Sequence, residues 1–524
     1  MRTCFLHLQS KNRRRLRALS FVALLALCAP AFAQTLGWAG SGVAIEPWWR
    51  RAVFYRIDPA NFQDSDGDGR GDLAGIAQRL DYLQQLGVDA IVLRLPLSGA
   101  SPEIQFGFEE LARSAAERKL RVIVELNAAE ATPESTNTSA PQQTYLNAAR
   151  FWLNQGAAGI DLDSTTLASA SDEQAATLVR ALHDLLHGFP GGRILIANAA
   201  PVFDPALAKA LAQDAQLVIA KPLAVATSAA ALRTELDAAL GADSASPAPT
   251  QSRSTSRRRT RVSEPEPANF LWSASRVEQS ANTTATQPLA LQRTMAMLLL
   301  ASRAAVMIDY GEEIGLGPDA LMQWTPKNIT LPMAAPVERR EATATPTTTP
   351  IPPKPKPQSN VYGAYVPYVP PAKPKPSDTD TPTKIDPDTL PGFTTGGLIE
   401  PPSADAATVN VAVEEADPHS LLNFYRKLIQ LHHGNASMHN GAQTVLDQDD
   451  LDALLWVRRP PTGAATATTV VAICNLSAKP LALSLGFELK LRGGTFHTLA
   501  GDAKLNGDTI SAPPGAVWLG EWQR

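Results

Sequence analysis

Between Trp48 and Gly317 short β-rich runs alternate with segments of helical period, and this alternation constrains the fold more than any other feature of the chain. The runs are Ala52–Ile57, Ala90–Leu95, Arg121–Leu126, Gly159–Asp163, Arg193–Ala197, Gln216–Ala220, Phe270–Trp272 and Ala304–Ile308. The segments between them include Leu73–Leu86, Phe106–Lys119, Thr144–Gln155, Asp172–His187 and Leu289–Ser302. Strands separated by helices are expected to pair in parallel, because each helix carries the chain back to the start of the next strand. Eight such units predict an α/β fold, a (β/α)8 TIM barrel whose functional residues would gather at the C-terminal strand ends.

The barrel is expected to occupy residues 46–334. Two stretches break its rhythm. Residues 241–267 are rich in Ala, Ser, Pro and Arg and read as a disordered loop between the sixth and seventh strands. Residues 335–391 are rich in Pro, Thr and Lys and read as an extended linker, suited to a plain tether or to a protein or cell-wall partner. The 42 prolines of the chain concentrate in such stretches, while the 44% of hydrophobic residues suffices for a core elsewhere. Residues 392–436 are expected to supply a final barrel helix, Asp417–His432, with Leu421, Leu422, Tyr425, Leu428 and Ile429 on one face and Asp417 as N-cap. From 437 to 524 short runs such as Leu454–Val457, Thr469–Cys474 and Leu481–Phe487 predict a C-terminal all-β sandwich domain.

Residues 1–33 read as an export signal. A positive segment (Arg2, Lys11, Arg13, Arg14, Arg15, Arg17) precedes an apolar run, Ala18–Cys28, and then Ala31-Phe32-Ala33 in the A-x-A pattern. The run is shorter than the roughly 20 residues a bilayer span needs, so the mature chain is expected to be secreted or periplasmic, without a transmembrane span. Cleavage would carry the formal net charge from −4 to −10, which disfavours a nucleic-acid partner. It would also leave Cys474 as the single cysteine, a buried strand residue unable to form an internal disulfide.

The sharpest local motif is Asp64-Ser65-Asp66-Gly67-Asp68-Gly69-Arg70-Gly71-Asp72. Carboxylates packed this densely repel one another without a cation, and a hard ion such as Ca2+ takes six to eight oxygens at about 2.4 Å. Asp64, Asp66, Asp68 and Asp72, with the carbonyl of Arg70, are the expected ligands of a structural Ca2+. The twelfth position is Gly75 rather than a bidentate Glu, so the loop is not an EF-hand.

Glu46-Pro47-Trp48-Trp49-Arg50, Ala52-Val53-Phe54-Tyr55, the acidic loop, and Leu86-Gly87-Val88-Asp89-Ala90-Ile91 together resemble the start of the α-amylase superfamily (glycoside hydrolase family 13). The resemblance is closest to its oligo-1,6-glucosidase, α-glucosidase and trehalose synthase branch. Phe151-Trp152-Leu153, Tyr310-Gly311-Glu312-Glu313-Ile314-Gly315, Met322-Gln323-Trp324 and Gly392-Phe393-Thr394-Thr395-Gly396 extend it in family order. It implies retaining cleavage of α-glucosidic bonds by a carboxylate nucleophile and a carboxylic acid about 5–5.5 Å apart, with a third carboxylate on the sugar.

Position by position, the resemblance implies Asp163 as the nucleophile, in Gly159-Ile160-Asp161-Leu162-Asp163, with Asp161 where the family carries Arg. Asn198 falls at the acid/base position and Ser275 at the third carboxylate. The third-strand motif runs Glu125-Leu126-Asn127-Ala128-Ala129-Glu130, without the family's Asn-His. The roughly 25 residues between Glu125 and Phe151 leave no room for the family's B domain. An amide cannot protonate a departing oxygen, and general-acid help is worth about 10²–10⁴-fold. The expectation is therefore a non-catalytic homologue that binds α-glucan or oligosaccharide or acts as a scaffold, as the heavy chains of amino-acid transporters do within the superfamily. The alternative is an active retaining hydrolase or transglycosylase that uses Asp163 with a relocated acid, Asp161, Glu125 or Glu130. Structural pairing of Asp161 and Asp163 with Arg94 or Arg121 is the competing reading of those carboxylates.

Overall fold

The structure is a computed structural model that describes residues 47–97, 101–127, 141–163, 166–167, 170–198, 207, 210–219, 229–230, 232–233, 271–273, 289–317, 320–325, 392–395, 408–446, 452–461, 468–489, 491 and 493–524. The export segment 1–33, the insert 241–267, the linker 335–391, Glu130 and Ser275 lie outside them.

Eight parallel strands form one curled sheet: β1 (Val53–Ile57), β2 (Ala90–Pro96), β3 (Arg121–Asn127), β4 (Gly159–Leu162), β5 (Ile194–Asn198), β6 (Leu217–Ile219), β7 (Leu271–Ser273) and β8 (Ala305–Asp309). Their order is β6-β5-β4-β3-β2-β1-β8-β7. Each strand lies within one or two residues of its expected place. β6 and β7 approach within 8 Å without a ladder between them among the described residues, so the TIM-like barrel curls round to its own edge. Its outer layer includes α1 (Pro59–Phe62), α2 (Leu73–Gln78), α3 (Leu80–Leu86), α4 (Pro102–Glu117), α5 (Pro141–Asn154), α6 (Asp172–His187) and α7 (Leu289–Ala301). Strand side chains alternate between the two faces. Tyr55, Leu93, Val124, Ile160 and Leu162 pack into the helix layer, whereas Phe54, Val92, Ile123 and Ile196 are buried outside that cluster, on the interior face.

Two helical expectations are corrected. Leu73–Leu86 is not continuous, because Arg79 leaves helical geometry (φ −105°, ψ 7°). Its Nε donates to Gln63 Oε1 at 2.8 Å and its guanidinium lies 4.1 Å from the centre of the Trp324 ring. The final helix, expected over Asp417–His432, starts later, as α9 (Leu421–Gly434), and a separate short helix α8 (Val411–Ala416) precedes it. Asp417 is extended ahead of Pro418, as the residue before a proline tends to be. Ser420 caps α9 instead, its hydroxyl accepting from the Asn423 amide at 3.1 Å. The apolar face of the helix is as expected: Leu421, Leu422, Tyr425, Leu428 and Ile429 are all buried.

α10 (Ala436–Asn440) leads into the C-terminal β-domain, β9 (Ala442–Leu446), β10 (Ala453–Arg459), β11 (Thr469–Asn475), β12 (Leu481–Ser484), β13 (Thr495–Gly501), β14 (Lys504–Asn506), β15 (Thr509–Ala512) and β16 (Val517–Gln523). Antiparallel ladders join them into a five-stranded sheet, β13-β16-β11-β10-β9, and a three-stranded sheet, β12-β15-β14. Leu455, Ile473 and Trp518 from the first meet Leu483, Ile510 and Ala512 from the second in one apolar cluster, which makes the domain a sandwich. The other face of the five-stranded sheet, with Trp456, Ala472, Cys474 and Leu519, belongs to the barrel's core cluster. A strand covered on both sides has no polar alternation, which is why Val470–Cys474 is continuously apolar. Cys474 is buried as expected, and burial pushes its thiol up. The run Leu481–Phe487 ends its strand at Ser484 and turns into α11 (Leu485–Glu488), leaving Phe487 exposed. No helix among the described residues is long and apolar enough to cross a membrane.

Candidate functional site at the barrel mouth

The charged residues of the strands are exceptions in otherwise apolar runs, and the two-residue period puts them on the interior face. Arg56 on β1 holds Asp309 on β8 with both ends of its guanidinium, Nε to Oδ1 at 2.7 Å and Nη2 to Oδ2 at 3.0 Å. On β2, Arg94 donates through Nε to Glu125 Oε1 on β3 at 3.1 Å and lies 3.8 Å from Asp58 Oδ2. The competing reading that Arg94 pairs with Asp161 is therefore corrected: register sets Arg94 opposite Glu125, and Glu125 opposite Asp161.

Asp161 is fully buried, and both of its carboxylate oxygens lack a hydrogen-bond partner, as does Oε2 of Glu125. Burial, and after it the charge of Glu125, push the Asp161 carboxyl well above the usual carboxylate range, against the pull of Arg56. The carboxyl that faces Asp161 most strongly is thus Glu125, with Asp163 a smaller influence.

Asp163 follows the last ladder pair of β4 and β5, Leu162 with Ala197, so it stands level with Asn198. Both side chains are nearly buried, at 8% exposure. Close to Asp163, Tyr145 on α5 shares a 3.1 Å hydrogen bond with the Thr166 hydroxyl. Burial raises the Tyr145 phenol, and the Asp163 charge raises it further. The barrel mouth therefore brings together Asp163 and Asn198 of the expected site, with Asp161 and Glu125 beneath them; Ser275 lies outside the described residues. Sequence reasoning missed the Arg56–Asp309 clamp. The charged residues near the C-terminal ends of β1, β2, β3, β4 and β8 (Arg56, Arg94, Glu125, Asp161 and Asp309) were the signal that pointed to it.

The acidic loop lies between β1 and α2. Asp64, Asp66 and Asp72 each offer one oxygen, and these oxygens all lie within 4.8 Å of one another. That spread fits a cation with oxygens about 2.4 Å away. Asp68 is not in this group; its Oδ1 instead accepts from the Arg70 amide at 2.8 Å. Asp64 accepts from the amides of Asp66, Gly67 and Gly69 at 3.0, 2.7 and 2.8 Å and from the Thr394 hydroxyl. Burial alone would push its carboxyl up; these donors outweigh burial and hold it below the usual range. Asp72 caps α2 through the Gly75 amide at 2.6 Å and accepts from the Ser65 hydroxyl. All the donors are hard oxygens, the set that suits a Ca2+-class ion.

Beside the loop the motif Tyr310–Gly315 forms a buried clamp. Glu313 Oε1 accepts from Tyr55 at 2.8 Å and from Tyr82 at 2.5 Å, while Tyr425 donates to Glu312 at 2.8 Å. Phe62 and Tyr82 meet Trp324 edge-on, with ring centres 5.2 and 5.1 Å apart. Trp152 is a core residue, packed on Phe108.

Residues 56–109 match the family model of the alpha amylase catalytic domain. The chain is 50% identical over 62 residues to a probable oligo-1,6-glucosidase 2 of Bacillus subtilis, covering 12% of this chain and 11% of that one. It is 36% identical over 124 residues to an alpha-glucosidase of Pediococcus pentosaceus, covering 20% and 22%. The matches thus span about a fifth or less of these relatives' length. In fold, the chain resembles the alpha-glucosyl transfer enzyme XgtA (TM-score 0.58, 19% identity, 92% of this chain and all of that one). It also resembles the trehalulose synthase MutB of Pseudomonas mesoacidophila MX-45 (TM-score 0.58, 16% identity, the same coverage). Residues 56–109 thus resemble the alpha amylase catalytic domain, and the barrel with its β-domain shares its fold with these solved enzymes. The sequence matches among the α-glucosidases and oligo-1,6-glucosidases cover only part of those relatives.

Proposed function

We propose that the chain is an exported α-amylase-family protein that binds α-glucan-type oligosaccharide or scaffolds a partner without hydrolysing glycosidic bonds. The observation that carries the reading is the amide of Asn198 level with Asp163. Retaining hydrolysis needs an ionised carboxylate facing a protonated one across the sugar. Here the group across from the carboxylate has no acidic proton, and the nearest raised carboxyl, Asp161, is fully enclosed. Sugar binding is the remaining chemistry of such a mouth. MutB variants have been solved with sucrose and with isomaltulose, which supports an oligosaccharide as the ligand class.

Incubation of the purified chain with maltose, maltodextrin, trehalose and sucrose is expected to give no turnover above blank. Asp163→Asn is expected to leave that result unchanged while weakening any sugar binding seen by calorimetry. Robust hydrolysis abolished by Asp163→Asn would overturn the reading.

A second reading, turnover through a relocated acid, draws on the raised Asp161 carboxyl, since a group held protonated can serve as an acid. It requires that Asp161→Asn and Asp163→Asn each abolish a measurable rate.

In the acidic loop, Asp64, Asp66 and Asp72 would hold a structural Ca2+. The ion would tie the β1 loop to the Phe393–Thr394 segment through Asp64, and a chelator should lower the melting temperature until Ca2+ is restored. Export predicts a mature protein that begins at Gln34, checked by mass spectrometry of the chain recovered from its host.

A further inference from the structure

His183 and His187 stand one helical turn apart near the C-terminal end of α6. Their Nε2 atoms are 2.9 Å apart and their ring centres 4.3 Å apart. One neutral imidazole can donate to the other, so the pair is compatible as it stands, but both rings are neutral nitrogen ligands of the kind that suit Zn2+, Ni2+ and Cu2+. His187 is exposed and His183 is half-buried, so the pair is open to solvent while His183 is partly fixed by packing.

Two further features favour a cation here. Nδ1 of His183 lies 3.5 Å from Asp184 Oδ1. That nitrogen has no hydrogen-bond partner among the described residues, so the carboxylate acts as a nearby negative charge that favours a bound cation. The site also lies at the C-terminal end of a 16-residue helix, where the helix dipole favours positive charge.

We infer that His183 and His187 form a two-imidazole site for a divalent first-row transition ion, with Asp184 as a nearby countercharge. With metal–nitrogen bonds of about 2.0–2.1 Å, two ligands at a right angle stand about 2.9 Å apart, and two at the tetrahedral angle about 3.4 Å. The 2.9 Å separation matches the right angle, which is the geometry of Cu2+ and Ni2+. Binding requires the two Nε2 lone pairs to converge on one point. The remaining positions would be filled by water, leaving an ion able to take a further ligand from outside the chain.

The test is titration of the purified full chain with CuCl2 and with NiCl2, followed by calorimetry and, for copper, by electron paramagnetic resonance. One ion per chain is expected, with two imidazole nitrogens coupled to the copper spin. His183→Ala and His187→Ala should each weaken binding at least tenfold. Asp184→Asn should weaken it less, and His497→Ala, on an exposed strand of the β-domain, should leave it unchanged. Circular dichroism and melting temperature check that the variants are folded. Equal binding by the wild type and the His183→Ala/His187→Ala double variant would overturn the site, as would a wild-type copper spectrum with a single imidazole.

Discussion

Asp161 is the residue on which the character of the barrel mouth turns. A buried carboxyl without a hydrogen-bond partner costs about 1–3 kcal/mol, and Glu125 next to it adds repulsion when both are ionised. The folded chain holds this proton more tightly than the unfolded chain, in which a free Asp titrates near 3.9. Its contribution to stability is therefore complete at pH below that value and is lost as pH rises toward the raised folded value. Asp161→Asn keeps the shape and removes the charge. The variant is expected to match the wild type near pH 4 and to melt at a higher temperature at pH 7.5, by an amount equivalent to about 1–3 kcal/mol. Equal melting-temperature differences at the two pH values would contradict the assignment. The carboxylates themselves were legible in the sequence as odd polar positions in apolar strands. Their partners were not, because Arg94 meets Glu125 rather than Asp161 only once three strands are set in register.

Individual elements were legible wherever local pattern sufficed. The eight barrel strands and the helix Asp172–His187 fall where the alternation of periods puts them, since each buries one face against a neighbour of the same chain segment. The misreadings had two causes, a distant contact that overrode local preference and an adjacent proline. Arg79 interrupts a helix to reach Gln63 and Trp324, which are 16 and 245 residues away along the chain. Asp417 was a plausible cap, but the proline after it moves the helix start to Ser420. The two candidates can be told apart by substitution. Ser420→Ala removes the hydroxyl that holds the Asn423 amide and is expected to cost about 1 kcal/mol. Asp417→Ala removes only a turn bond to the His419 amide and should cost less than half of that in the same chemical denaturation.

On the scale of the whole molecule, α7 joins the barrel to the β-domain. Met295 to Ala301 are all buried, because the helix lies between the barrel wall, α9 and the five-stranded sheet. Arg458 on β10 is also enclosed at this junction, donating to the carbonyls of Ala301, Met438 and Gly441, and Trp456 donates to Ala301 as well. Burial lowers the Arg458 guanidinium well below its usual range. Removing residues 441–524 would expose an apolar surface of the kind that associates. Such a truncation is expected to run as aggregates in size-exclusion chromatography, whereas the full chain unfolds in a single transition; a monomeric, folded truncation would contradict the fused core.

Arg56 is committed to Asp309 and Arg94 to Glu125, so Asp161 feels only their longer-range charge. On the proposed non-hydrolytic reading, any attempt to endow this scaffold with hydrolytic power by design must respect an order of operations. A glutamate introduced at 198 alone would join an already crowded set of negative groups and stay protonated or push the loops apart. On that reading, an arginine in place of Asp161 would have to supply a counter-ion before a new acid is added at 198.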